Sequence, residues 1–326
     1  MQLRKWIPTI SMVIILLVGG TYAYSQHFFQ KDQTAPVEAK WITFTPDHVQ
    51  KIQIKSLTDH NEATATSTSS AMITLQKKQN QWQMSLPANY PTNSYAIVDW
   101  LSTLEAATVH DVVEQAPTDV TKYGIDPQQP TIVLTTSTGQ QEKLYIGSKL
   151  PTDGYYYARL NEGAMIQLSQ QTVSDLSATV FGFIDTTPIG WNDQDMTALS
   201  WTDAKDQSHW TLHHQANLED PSQDRWTFNS HAITSEQASN LTDSIKNIPT
   251  DQLPQRAFNQ SSSSLVFTLK VTRTEEDHTV IDTYQGFQSA DDPNFIWVTD
   301  PSHLWSYRLP AASINQVIQF AQAIAK

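Results

Sequence analysis

The side chains best suited to proton transfer or metal binding in this 326-residue chain are its ten histidines, three of which crowd into His209-Trp-Thr-Leu-His213-His214. A metal needs its ligands converging on one side. On a strand through Trp210 to Leu212, His213 and His214 point to opposite faces. The cluster therefore reads as a solvated strand end. His110 beside Asp111 and His278 beside Asp277 pair a base with a carboxylate, but no third group orients either imidazole. Carboxylates gather at Glu275-Glu276-Asp277 and at Asp291-Asp292. The first group follows Arg273 between two strand-like runs and reads as an exposed hairpin tip. The second, in Ser289-Ala-Asp-Asp-Pro-Asn-Phe295, is turn chemistry without the alternating oxygen ligands of a calcium loop. None of the ten glycines builds a phosphate cradle, and neither HExxH nor GxSxG occurs.

Cysteine is absent, which excludes disulfides, thiolate nucleophiles and an acylated N-terminal cysteine. The formal net charge of −13 repels nucleic acid at long range. No catalytic set, metal or cofactor is expected, and the chain reads as a non-enzyme. The lesser alternative is a hydrolase with an unfamiliar site, where His110 or His213 would meet a carboxylate from a distant part of the chain.

Charged residues make up 16% of the chain against the usual ~25%. Gln, Ser, Thr and Asn carry the polarity instead, which suits a surface outside the cytoplasm. An acidic exterior is a further hypothesis, since neutral amides stay polar where carboxylates titrate. A fold that collapses already in mild acid would count against it.

The elements that must position these residues begin with a short basic head, Arg4-Lys5. The uncharged run Trp6 to Tyr24 follows, close to the ~20 residues that span a hydrocarbon core. Trp6, Tyr22 and Tyr24 sit where interfacial aromatics gather, and the basic head stays inside. Residues 1–25 are thus expected to be a cytoplasmic head and transmembrane anchor, with the bulk of the chain extracytoplasmic. A cleaved secretory signal, with Thr21 and Ala23 at the small-residue positions, is the competing reading. Residues 26–40 have linker composition.

Beyond the linker one pattern occurs twice. Strand-like runs at Trp41 to Phe44 and Val49 to Ile54 lead to a Thr/Ser-rich loop at Thr58 to Ser70. Then come Ile73-Thr-Leu75, Trp82, and a helix opening at Ser94 with Ile97, Trp100, Leu101 and Leu104 on one face. The second pass runs Trp210-Thr-Leu212, Trp226, and a helix opening at Thr234, where Gln237 completes a capping box. Ala238, Leu241 and Ile245 form its apolar face. Landmarks Thr74/Thr211, Trp82/Trp226, Ser94/Ser235 and Gly147/Gly286 recur at a spacing of about 140 residues. Short β-branched and aromatic runs fill the rest of each pass, and each closes on a helix, Ser169 to Leu176 and Ser313 to Ala325. The expected fold is α+β: two tandem repeats of antiparallel sheet with packed helices, residues 41–185 and a degenerate 195–326, after one transmembrane helix. Pro and Gly interrupt the pattern between them, near Asp185 to Asp195. On the strand Tyr155-Tyr-Tyr157, the face carrying Tyr156 is the candidate exposed aromatic for a glycan.

The run Lys122-Tyr-Gly-Ile-Asp-Pro127 with Pro130, Ile132-Val-Leu134, Gly139, Leu144-Tyr-Ile-Gly147, Pro151, Gly154-Tyr-Tyr-Tyr157 and Arg159 resembles a bacterial domain-of-unknown-function family, number 4340. Trp82, Pro87 and the helix through Trp100 fit the same pattern, so the resemblance covers roughly residues 73–180. The second pass has Gln255-Arg-Ala-Phe258 where the Tyr-Gly-Ile-Asp-Pro element stood. The resemblance implies a single-span membrane protein, often encoded beside ABC transporter components of the gliding-motility or exporter type. It supplies no catalytic residues. It makes Tyr123, Gly124, Ile125, Asp126 and Pro127 the candidate interaction loop, with a permease or accessory subunit as partner. The alternative is a membrane-anchored module that binds cell wall or glycan.

Overall fold

A computed structural model describes residues 39–55, 72–152, 154–217, 220, 223–256, 262–276 and 278–325. The expected transmembrane helix, the Thr58 to Ser70 loop and Asp277 lie outside them. Among the described residues no helix is long and apolar enough to cross a membrane.

Two antiparallel sheets carry the fold. The first contains β1 (Val49–Lys55), β2 (Met72–Lys78), β3 (Gln81–Leu86), β4 (Asp111–Glu114), β5 (Ile132–Thr136), β6 (Gln141–Lys149), β7 (Tyr155–Leu160) and β8 (Met165–Ser169), in the order β3-β2-β1-β5-β6-β7-β8-β4. The second contains β9 (Met196–Asp203), β10 (His209–Gln215), β11 (Arg225–Phe228), β12 (His231–Ile233), β13 (Gln255–Arg256), β14 (Ser263–Glu275), β15 (His278–Ser289), β16 (Phe295–Thr299) and β17 (Trp305–Pro310). Its order is β12-β11-β10-β9-β14-β15-β16-β17-β13. With β12 set aside, the two orders are the same.

Helices cover one face of each sheet: α1 (Ser94–Ala106), α2 (Gln170–Asp175) and α3 (Val180–Phe183) the first, α4 (Ser235–Lys246) and α5 (Ala311–Ile324) the second. Ile97, Trp100, Leu101 and Leu104 are the buried residues of α1, and Ala238, Leu241, Thr242 and Ile245 those of α4. Both sets have the spacing of a single helical face. The capping box at Thr234 and Gln237 is formed. In α1 the cap is Asn93, one residue before the expected Ser94, because its side-chain oxygen reaches the backbone N–H groups of Tyr95 and Ala96.

Strand register shows how far the likeness extends. In the first sheet Met84, Leu75, Ile52 and Leu134 stand in one cross-strand row, and in the second Phe228, Leu212, Leu199 and Val271 do. All eight are buried. The next row is Ile73, Ile54 and Ile132 in the first sheet and Trp210, Trp201 and Leu269 in the second. Trp82 and Trp226 occupy equivalent places, each paired with a basic residue, Lys77 and His214. The Gly147/Gly286 landmark is out of register by one. Gly286 pairs with Val298 as Ile146 pairs with Ala158.

Two sequence readings need correction. Trp41 to Phe44 forms no strand; Trp41 is buried and donates its N–H to Ala107 O at 2.8 Å. The pattern reading also passed over β9, the strand that starts the second sheet. Its polar Thr197, Ser200 and Thr202 dilute an alternation carried only by Met196, Leu199 and Trp201.

The segment joining the sheets is packed. Ile189 belongs to the second core, the Tyr284 hydroxyl donates to Gly190 O at 3.1 Å, and Thr250 N–H donates to Thr186 O at 2.7 Å. Tyr90, from the loop between β3 and α1, packs against both cores.

Candidate functional site

Between β4 and β5 the chain crosses the first sheet as a strap on the face away from the helices. The Asp119 carboxylate accepts the Thr121 N–H at 2.9 Å and starts a single 3-10 turn, Thr121–Tyr123. Gly124 ends it in the left-handed region at φ 74°, which glycine adopts at little cost. A Cβ there would lie 2.1 Å from Ser148 Oγ, and one on Gly147 would lie 2.2 Å from Tyr123 O. Both glycines are therefore required for the strap to touch β6.

Tyr123 and Ile125 are the anchors. With Val120, Tyr145 and Met165 they make a second small core, closed by Tyr157. The rings of Tyr123 and Tyr157 are 4.8 Å apart. Downstream, the Asp126 carboxylate accepts the Gln128 N–H at 2.9 Å, and the Tyr145 hydroxyl donates to Pro127 O at 3.3 Å. Lys122, Gly124 and residues 126–129 remain exposed on this fixed support.

A polar clamp holds the start of the strap. Glu114 of β4 accepts the Tyr123 hydroxyl at 2.5 Å and the Lys122 ammonium at 2.9 Å, and that ammonium lies 4.8 Å from the Tyr123 ring centre. These two hydrogen bonds, Tyr123's first, hold the Glu114 carboxyl below its ordinary range. The same carboxylate raises Lys122 and Tyr123.

In the second unit the place of the strap, between β13 and β14, is residues 257–262, of which Ser262 alone is described; the chain ahead of it, from α4 to Arg256, packs at the junction. Ile248 enters the second core, Leu253 packs against the first, and Arg256 lies 4.7 Å from the centre of the Trp305 ring. It buttresses the junction between the units.

The structure gathers Tyr123, Gly124, Ile125, Asp126 and Pro127 into this one element. Tyr156 corrects an expectation. It is half-buried and packs against the main core on the face that also carries Ala158 and Leu160, so it is no exposed platform. Tyr155 and Tyr157 take the outer face, where Tyr155 stacks on His110 at 4.3 Å.

His214 is a second correction. It is buried, with Nδ1 3.0 Å from Met196 O and Nε2 2.9 Å from Asp224 Oδ2, and it stacks on Trp226 at 4.0 Å. The Asn217 N–H and then His214 lower the Asp224 pKa. The reading as a solvated strand end holds for His213, which is exposed. Asp292 bonds to Arg308 at 3.1 Å. Among the described residues no group of three or more His, Asp or Glu could hold a metal ion.

Sequence reasoning missed the cleft between the units, where Gln76, Lys78, Gln83, Asn89 and Tyr90 face Trp305. Its walls are too far apart in the chain for any local spacing to reveal it. The available signal was Tyr90, an aromatic set among prolines in a loop.

Residues 82–262, more than half of the chain, match the family described as Domain of unknown function (DUF4340), and the chain belongs to that family. The matched stretch begins in β3 and stops just before β14, so it reaches across both sheets. No curated protein and no solved structure matches the chain.

Proposed function

We propose that this DUF4340 chain is a non-enzymatic extracytoplasmic accessory subunit of a membrane complex of the ABC-transporter type, docking through the exposed turn at residues 126–129. The observation that carries the reading is the strap. Buried Tyr123 and Ile125 and two obligatory glycines hold an exposed polar turn in one conformation. A loop ordered in advance binds without the entropy cost of ordering on contact. The uncharged run Trp6 to Tyr24, behind a basic head, supports a tether that keeps both sheets outside the membrane.

The test is crosslinking of tagged full-length protein in native membranes, read by mass spectrometry, with Asp126→Arg and Gln128→Arg beside the wild type. Enrichment of a permease and its ATPase, lost in both variants at unchanged abundance, is the expected result. Recovery of the wild type as a free monomer from gently solubilised membranes would overturn the reading.

A further inference from the structure

We infer that the cleft between the two units is a binding site for one ring of an acidic saccharide, separate from the docking turn. Three observations carry this. The first is convergence. Gln76 and Gln83 are a cross-strand pair on β2 and β3 that project to the side away from Leu75 and Met84, their core-facing neighbours. Lys78 joins them from β2 and Asn89 from the loop beyond β3. These four polar side chains are exposed and make no hydrogen bond within the described residues. Each amide offers donors and an acceptor together, as a row of sugar hydroxyls demands.

The second is the opposing wall. Tyr90 is half-buried and supplies the exposed ring of this wall; buried Trp305 backs it, the two rings 5.2 Å apart and tilted by 37°. Trp305 is fixed in turn by Arg256. Amides facing aromatic surface meet the two sides of a sugar, its hydroxyl rim and its C–H face. The third is charge. Lys78 is the single ionic group in the lining, which holds no carboxylate, in a chain of net charge −13. A lone cation there selects a ligand with one negative group. A nucleic acid, with many, is repelled by the rest of the surface.

Size limits the occupant. The cleft holds about 210 Å³, below the ~300–1,000 Å³ of sites that enclose a drug-sized molecule. One sugar ring fits, with any longer chain running out into solvent. The walls come from both units, so ligand affinity also reports on whether the junction is intact.

Calorimetric titration of the full-length protein with glucuronic acid, glucose and alanyl-alanine tests the assignment. Glucuronic acid is expected to bind, and glucose more weakly. Gln83→Ala should weaken both sugars by about fivefold, the worth of one hydrogen bond of about 1 kcal/mol. Lys78→Ala should bring glucuronic acid down to the level of glucose. Both side chains are exposed on a strand surface, and unchanged thermal melting will confirm that each variant folds. The inference is overturned if neither sugar binds at millimolar concentration, if the dipeptide binds in their place, or if both variants bind like the wild type.

Discussion

The two units share a strand order and differ in how their chains pack around it. In the first, the segment after the long helix folds down as the strap and builds a second core on its own sheet. In the second, the run from α4 into β13, which comes before the strap's place in the chain, packs at the junction, with Leu253 against the first core and Arg256 on Trp305. The cores differ as well. Where the first sheet has the row Ile73, Ile54 and Ile132, the second has Trp210, Trp201 and Leu269, extended by Phe267 and Phe228 into a run of stacked rings. A topology can keep its register while volume is redistributed, provided that space is released nearby. Gly286 releases it: a Cβ there would lie 2.2 Å from Phe267 Cε1. At the equivalent place the first sheet has Ile146.

The sharpest test of that comparison exchanges nothing and removes a ring. Trp201 is fully buried, 4.2 Å from Phe267 and 5.9 Å from Trp210. Trp201→Ala should cost about 3–5 kcal/mol, and Ile54→Ala at the equivalent place about 2–5. Urea unfolding measures both. A cost below ~1 kcal/mol for Trp201→Ala would show that the aromatic run is not what holds the second core.

The helices and most strands were legible because their apolar residues keep a strict period. Ile97, Trp100, Leu101 and Leu104 announce α1, and Thr234 with Gln237 announces α4. What failed to show was set by tertiary contacts. In β4, Val112 and Val113 are exposed and only pairing with β8 makes a strand. Buried His214 depends on Asp224 across a turn, and Trp41 on Ala107 across half the unit. The strap was legible as a motif, but not its clamp, since Glu114 carries no local signal. Gly147 and Gly286 looked equivalent in the chain, although one admits a backbone carbonyl and the other a phenyl ring.

That last difference predicts two distinct lesions. Gly147→Ala places a methyl against Tyr123 O, and Gly286→Ala places one against Phe267. Each should destabilise by about 1–3 kcal/mol, but in different units. Hydrogen exchange is expected to rise at residues 121–129 in the first variant and along β14 and β15 in the second. Identical exchange maps would mean that the two units open together.

Smaller still is the effect of the helix caps, which the units satisfy differently. Asn93→Ala and Thr234→Ala should each cost about 1 kcal/mol. Losing Thr234 also removes the oxygen that accepts the Gln237 N–H at 3.1 Å. Thermal melting of the two variants ranks the caps. The reciprocal bond of the capping box, Thr234 N–H to Gln237 Oε1 at 3.0 Å, survives in Thr234→Ala, so that variant should lose less than Asn93→Ala, whose oxygen accepts two N–H groups.

The smallest effect separates the units by pH. Glu114 in the first and Asp224 in the second both have a folded pKa below the ordinary value. Such a carboxylate contributes stability above its unfolded pKa, about 4.3 for Glu and 3.9 for Asp, and the contribution is lost as pH falls through the folded value. Lys122 acts in the opposite sense. Its raised pKa contributes below about 10.4 and is lost as pH rises beyond the folded value. The strap clamp is therefore complete from mildly acidic to mildly alkaline pH and opens at either extreme. Denaturant midpoints between pH 5 and pH 3 should fall less steeply in Glu114→Gln and in Asp224→Asn than in the wild type, each variant starting from a lower value. Protection of the strap, with the intrinsic exchange rate divided out, should follow pH in the wild type and become flat in Glu114→Gln alone. If Asp224→Asn flattens it as well, the clamp is not local to the first unit, and the contrast between the two faces loses its electrostatic half.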